Sequence, residues 1–269
     1  MTAGDVVLIT GASAGIGRAC ATLLLERGYK VYGTSRSPEA VSPPPCHLVT
    51  MAADDPASVA AAVEQVLAQS GRIDALINNV GFSLTGPLEE IPLASAKQMF
   101  AVNYWSAVQL SQQVLPAMRA RGTGAIVNIS SVAADMPLPF QGHYSASKAA
   151  LSAFTAALRM EVGHSGVRVT VVEAGNVQTD SRANRQVVHA PDSDYRSVVQ
   201  RALKAINREE RDGIPADRVA RLVARILASD NPRPRYVIGH RLEGLAPWLK
   251  ALLPDRLGEW ALRQRYGLP

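Results

Sequence analysis

The stretch VVLITGASAGIGRACATLLLERG, residues 6–28, sets an apolar strand directly against a glycine-rich turn and then a helical pattern. That order permits few folds. VVLIT lacks the polar–apolar alternation of a half-solvated strand, so both of its faces are expected to be covered. Gly11, Gly15 and Gly17 let the chain turn sharply and come close to a bound group. The helix that follows offers its N-terminal amides to an anion such as a pyrophosphate. The spacing is not GxGxxG, yet its place between strand and helix points to a dinucleotide pocket.

The alternation continues along the chain. Further strands are expected at 30–36, 46–51, 73–81, 124–131 and 167–175, with a weaker one at 235–239. Helices are expected at 16–28, at 55–71 behind an aspartate and a proline, and across most of 93–121. A long helix begins near Tyr144, and another covers 216–229. SPEAVSPPPC, with four prolines, must be loop. Strands alternating with helices predict an α/β domain whose largely parallel sheet is covered on both faces, a three-layer arrangement. One domain is expected over 1–269, with 180–214 as a polar lid and 240–269 as a helical extension.

Composition excludes several classes of function. The chain has 269 residues, 47% of them apolar and 19% charged, enough for one large core and against disorder. Its net charge of +5 is scattered and accompanied by no nucleic-acid-binding motif, so a solvated surface is the expectation. Cys20 and Cys46 make neither a disulfide framework nor a zinc cluster. His47, His189 and His240 lack ligand spacing, and His164 sits where a helix end needs capping, so no metal is expected. His143 adjoins Tyr144 at a different helical position. With no leader and no run long enough to span a bilayer, the expected location is cytoplasmic.

The end of the second expected strand bears on the cofactor. An acidic residue there would accept hydrogen bonds from the ribose of NAD. The sequence instead has Ser35 and Arg36, and a guanidinium suits a 2′-phosphate. NADP(H) is therefore expected, with NAD(H) as the alternative. Asn79 can hold the end of the fourth strand while Val80 and Gly81 pass close to the cofactor. Gly175, Val177 and Thr179 can do the same at the end of the sixth strand, through backbone and hydroxyl groups. Tyr144 and Lys148 lie four apart on a helix and so share a face.

Taken in order, TGASAGIG (10–17), NNVG (78–81), Asn103 in AVNYWSA, NISS (128–131), YSASK (144–148) and EAGNVQT (173–179) resemble the short-chain dehydrogenase/reductase family. The resemblance implies a Rossmann-like, doubly wound fold and reversible hydride transfer between a nicotinamide cofactor and an alcohol or carbonyl compound. It maps the catalytic residues to Tyr144, Lys148, Asn103 and Ser131, with Ser130 a structural neighbour. Gly11, Ser13, Gly15, Ile16 and Gly17 then carry the cofactor turn, and Tyr144 and Lys148 also meet the cofactor. This chain departs from the pattern at Val80, where the family has alanine, and at Ala174, where it has proline. The usual acid after the third strand is replaced by Ala52, leaving Asp54 or Asp55 to take its place.

Lys148 would favour the Tyr144 phenolate and hold the nicotinamide ribose, Tyr144 would exchange a proton with the substrate oxygen, and Ser131 would donate to it. The substrate site is expected beside Ser131, Val132, Leu138, Phe140 and Tyr144, with Asp135 at its edge. The apolar MPLPF (136–140) suits a hydrophobic carbonyl or alcohol. The length and tail are similar to the hydroxysteroid and retinol dehydrogenase branch of the family. Reduction of a carrier-protein-bound 3-oxoacyl thioester and non-enzymatic NADP(H)-dependent regulation are the alternatives. A homodimer is expected, a homotetramer being the other arrangement that the family offers.

Overall fold

The structure, a computed structural model, describes residues 1–179, 185–188, 190, 192–240 and 254–268. Its centre is a sheet of seven parallel strands in the order β3-β2-β1-β4-β6-β7-β11. These are β1 (Val6–Ile9), β2 (Lys30–Ser35), β3 (His47–Thr50), β4 (Ala75–Asn78), β6 (Gly124–Ser131), β7 (Val167–Ala174) and β11 (Arg235–Ile238). Small two-stranded pairs join β5 (Leu84–Thr85) to β9 (Gln186–Val187) and β8 (Val177–Gln178) to β10 (Ile214–Pro215). The fold is a three-layer, Rossmann-like α/β arrangement.

Helices α1 (Gly15–Glu26) and α7 (Ala216–Ala228) cover one face of the sheet. The other face carries α2 (Pro56–Ser70), α4 (Ser106–Arg121) and α5 (Gly142–Val162). Side chains alternate along each strand, and here both sides are apolar. Val7 and Ile9 pack with Cys20, Leu24 and Val223 on the first face, whereas Leu8 packs with Val63, Leu110 and Met118 on the second. That double burial explains the unbroken hydrophobic strands in the sequence. Asp55 opens α2 by accepting a hydrogen bond from the Ala57 amide at 2.9 Å, and Gly71, at φ 74°, ends it.

Two expected elements differ in detail. The strand foreseen over 73–81 stops at Asn78, because the Asn79 and Val80 amides bond to the Thr10 hydroxyl (2.9 and 3.0 Å) rather than to a neighbouring strand. The helix foreseen over 93–121 is α3 (Leu93–Phe100), one π-helical turn at Ala101–Trp105, and then α4. Such turns widen a helix by a residue and often mark functional sites. Here the turn contains the buried Asn103.

Across the sheet, Asn78 donates to Asn128 at 2.8 Å, and Asn128 donates to Thr155 of α5 at 2.8 Å. This buried chain seats α5 against the carboxyl ends of β4 and β6. Within the expected lid, α6 (Arg196–Arg211) is the main element, while residues 180–184, His189 and 191 lie outside the described residues. In the expected extension, α8 (Asp255–Arg265) is described, and 241–253 and 269 lie outside. No described helix is long and apolar enough to cross a membrane.

Candidate active site

The carboxyl ends of β1, β4, β6 and β7 open into a cleft of about 550 Å³. At its nucleotide end the turn after β1 contributes Gly11, Ser13, Gly15 and Ile16, and the end of β2 contributes Ser35 and Arg36. Gly17 sits beneath the turn. A Cβ there would meet the Gly11 carbonyl oxygen at 2.2 Å and the Asn79 amide nitrogen at 2.6 Å, so the position accepts only glycine without movement. Asn79 donates to the Thr10 carbonyl at 2.8 Å, and Thr34 accepts from the Gly11 amide at 3.2 Å. Thr10 and Thr34 thus brace the turn from below. Neither stood out in the sequence, because threonine is ordinary in a strand.

Asp54 lines the same end and accepts from Gln98 at 2.9 Å, whereas Asp55 is occupied in capping α2. Of the two acids expected on the adenine side, Asp54 is the one that lines the cleft. The turn fits a dinucleotide. It offers close backbone approach at Gly11 and Gly15, both at positive φ, and the amino end of α1. Val80 and Gly81 border the middle of the cleft, and Gly175, Val177 and Thr179 line its far wall.

Ser131 closes β6, and α5 begins at Gly142, which brings Ser131, Tyr144 and Lys148 together in the cleft. The Ser131 hydroxyl, which accepts from the Ala133 amide at 3.1 Å, lines the cleft together with the Tyr144 phenol. Burial raises the pKa of that phenol, the polar Ser131 hydroxyl draws it back down, and the charge of Glu210 raises it. Lys148 is buried, lies 6.0 Å from the centre of the Tyr144 ring, and donates to the Ile129 carbonyl at 3.0 Å. Its removal from water pushes its pKa down to about 8. Asn103 lies behind this group. It exchanges hydrogen bonds with the Phe82 backbone (3.0 Å each way) and donates to Ser147 at 3.1 Å, which ties the loop after β4 to α5.

Val132 and Leu138 border the substrate end of the cleft. Phe140, expected beside them, packs one layer back with Ile206 and Tyr266, at φ 60°. The remaining wall comes from α6 and the chain around α8, with Arg185, Glu209, Glu210, Leu262, Arg265 and Tyr266. Glu209 pairs with Arg265 and accepts from the Tyr266 hydroxyl at 3.3 Å, which fastens α8 to α6. Glu210 pairs with Arg185.

The sequence matches the short chain dehydrogenase family over residues 5–188. The chain belongs to this family. It is 36% identical to the 3-ketodihydrosphingosine reductase of Bacteroides thetaiotaomicron, over 98% of each chain. It is 30% identical to the NADPH-dependent 3-dehydrocapnine reductase of Ornithobacterium rhinotracheale, over 93% of each. The crystal structure of a short-chain dehydrogenase from Streptomyces avermitilis superposes with a TM-score of 0.81 at 28% identity, covering 97% of this chain and 99% of that one.

As a short-chain dehydrogenase the protein is an NAD(P)-dependent oxidoreductase of small carbonyl or alcohol compounds. The residues that sequence reasoning missed in this dehydrogenase are mostly on the α6–α8 wall. Only the amphipathic spacing of 196–211 hinted at them, since Val199, Ala202 and Ile206 are buried and the intervening positions are polar.

Proposed function

We propose that this dehydrogenase is an NADP(H)-preferring reductase of a long-chain amino ketone, within the hydrophobic carbonyl class read from its sequence. The observation that carries the reading is the continuous cleft. It joins Arg36 at one end to Ser131, Tyr144 and Lys148, and then to an apolar rim formed by Leu138, Ile206 and Leu262. The names of the two bacterial relatives support the choice of substrate. Both denote a ketone at carbon 3, and dihydrosphingosine is a long-chain amino alcohol. These names favour a long-chain base over a steroid or a retinoid.

The bound cofactor supplies the hydride. Tyr144 gives its proton to the carbonyl oxygen as negative charge develops there, and Ser131 donates a hydrogen bond to the same oxygen. Lys148, carrying its proton below about pH 8, favours the resulting phenolate and holds the nicotinamide ribose. Asn103 keeps the Gly81–Phe82 backbone and α5 in register. Arg36 pairs with the 2′-phosphate, a charge-assisted contact that an NAD ribose does not offer. Helix α6, the main described element of the expected lid, walls the cleft and limits water around this chemistry within a single catalytic domain. Trp105 and Met160 are large exposed apolar side chains on or beside α4 and α5, which supports a dimer formed through those helices.

NADPH consumption tests the reading. The assay panel is 3-ketodihydrosphingosine, a steroid ketone, retinal, an aromatic ketone, an open-chain sugar and a 3-oxoacyl thioester. The long-chain amino ketone should give the highest kcat/KM. Turnover confined to the sugar or the thioester rejects the substrate class and leaves the hydride chemistry standing. Tyr144→Phe should bind NADPH and lose roughly 10²- to 10⁴-fold in kcat; near-normal turnover by the folded variant removes Tyr144 from its role.

A further inference from the structure

Two adjacent carboxylates on the wall of the cleft have different duties. Glu209 faces the chain end: one oxygen pairs with Arg265, and the other accepts from Tyr266 at 3.3 Å and from Asn176 at 3.4 Å. Its bonds are spent on holding α8 to α6. Glu210 lines the same cleft as Ser131, Tyr144 and Lys148, and its charge acts on the Tyr144 phenol. It pairs with Arg185, whose side chain is only 5% exposed and which also donates to Asn207 at 2.6 Å. Arg185 and Glu210 therefore form a charge pair among the side chains that line the cleft.

Such a placement is unfavourable for a plain ketone. The carbonyl oxygen gains negative charge during reduction, and a neighbouring carboxylate opposes that charge. A sequestered ion pair is also a poor source of stability, because desolvation offsets its attraction. The first objection disappears if the substrate brings a cation between the carboxylate and the reacting oxygen, and the second leaves binding, rather than stability, as the reason to keep the pair. An amino ketone brings such a cation, since its ammonium group lies on the carbon beside the carbonyl.

Resting on the reductase reading above, we propose that Glu210 is the specificity residue for that ammonium group. Arg185 orients the carboxylate, and the substrate nitrogen takes up a share of its hydrogen-bonding capacity on binding. Ammonium and developing oxyanion are then neighbours, so binding of the head group also favours the chemical step. The alkyl chain runs along Leu138, Ile206 and Leu262.

The test compares two ketones of equal chain length, a long-chain 2-amino-3-ketone and its analogue without the amino group. The readout is the ratio of their kcat/KM values. Glu210→Gln should lower this ratio about 10- to 100-fold, the worth of one charge-assisted contact. Glu210→Asp, which keeps the charge, should recover part of it. Circular dichroism and NADPH affinity establish that each variant is folded. A role confined to supporting the wall would reduce both activities together and leave the ratio as it was, which overturns the proposal. If the unaltered protein reduces both ketones and the ratio ignores Glu210, this inference falls and the reductase reading survives. If it reduces neither, both fall.

Discussion

The two ends of the cleft are built by different means. The nucleotide end is backbone: Gly11, Gly15 and Gly17 fold over one another, and Thr10, Thr34 and Asn79 secure the turn over short distances. The substrate end is side chain: Arg185, Glu209, Glu210, Arg265 and Tyr266 hold α6 and α8 through polar pairs. A backbone turn with no room for a Cβ tolerates almost no substitution, whereas a wall of paired side chains can change its contents one pair at a time. The first suits a cofactor common to many reactions. The second suits a substrate particular to one.

Substitutions at the two ends should therefore separate cofactor from substrate. The largest effect is expected from Gly17→Val, which forces atoms into the space of the Gly11 carbonyl. Overpacking of this kind costs roughly 1–3 kcal/mol, so calorimetric titration should show NADPH and NADH weakened together, by up to about 100-fold. Tight binding of either by the variant would show that the turn can shift, and the contrast between the ends would weaken. Arg36→Ala sharpens the comparison within the nucleotide end. NADPH affinity should fall about 10- to 30-fold, as for one charge-assisted bond, while NADH changes little. Equal losses for both would mean that Arg36 supports the loop or stacks on adenine.

At the other end, Tyr266→Ala removes a buried ring that packs on Ile206. KM for a long-chain ketone should rise about tenfold from local loosening of the wall, with NADPH affinity retained. A matching loss of NADPH affinity would join the two ends into one unit. The smallest effect concerns Lys148. Its folded pKa of about 8 lies below the ordinary 10.5, so the fold favours its neutral form. The associated stability is present above pH 10.5 and lost as pH falls through about 8. Lys148→Met should accordingly melt a few degrees higher than the unaltered protein near pH 7, with the gain shrinking toward pH 10. A gain independent of pH would assign the effect to packing.

The same division decided what could be read from the residues alone. β1, its glycine turn and α1 were legible because sequence neighbours make the structure. Strand hydrophobicity, a turn and a helix are local properties. Tyr144 and Lys148 were legible for the same reason, four apart on α5. Asn78, Asn128 and Thr155 were not, since each looks like an ordinary polar residue until the sheet brings them together. Glu209 and Tyr266 meet across 57 positions, and Arg185 and Glu210 across 25. No periodicity links such pairs. The surroundings of Phe140 were only partly legible for a related reason. Its apolar neighbourhood was evident, but its left-handed backbone and its edge-on contact with the Tyr195 ring were not.

The fastening of Tyr266 to Glu209 bears on how the protein comes into being on the ribosome. Every piece of the nucleotide turn, from Thr10 to Asn79, has been translated within the first third of the chain. The wall proposed to select the ketone waits for Tyr266. Until that residue has left the exit tunnel, α6 lacks its cover, and Phe140 and Ile206 face water. The proposed substrate wall is thus completed later in translation than the nucleotide turn.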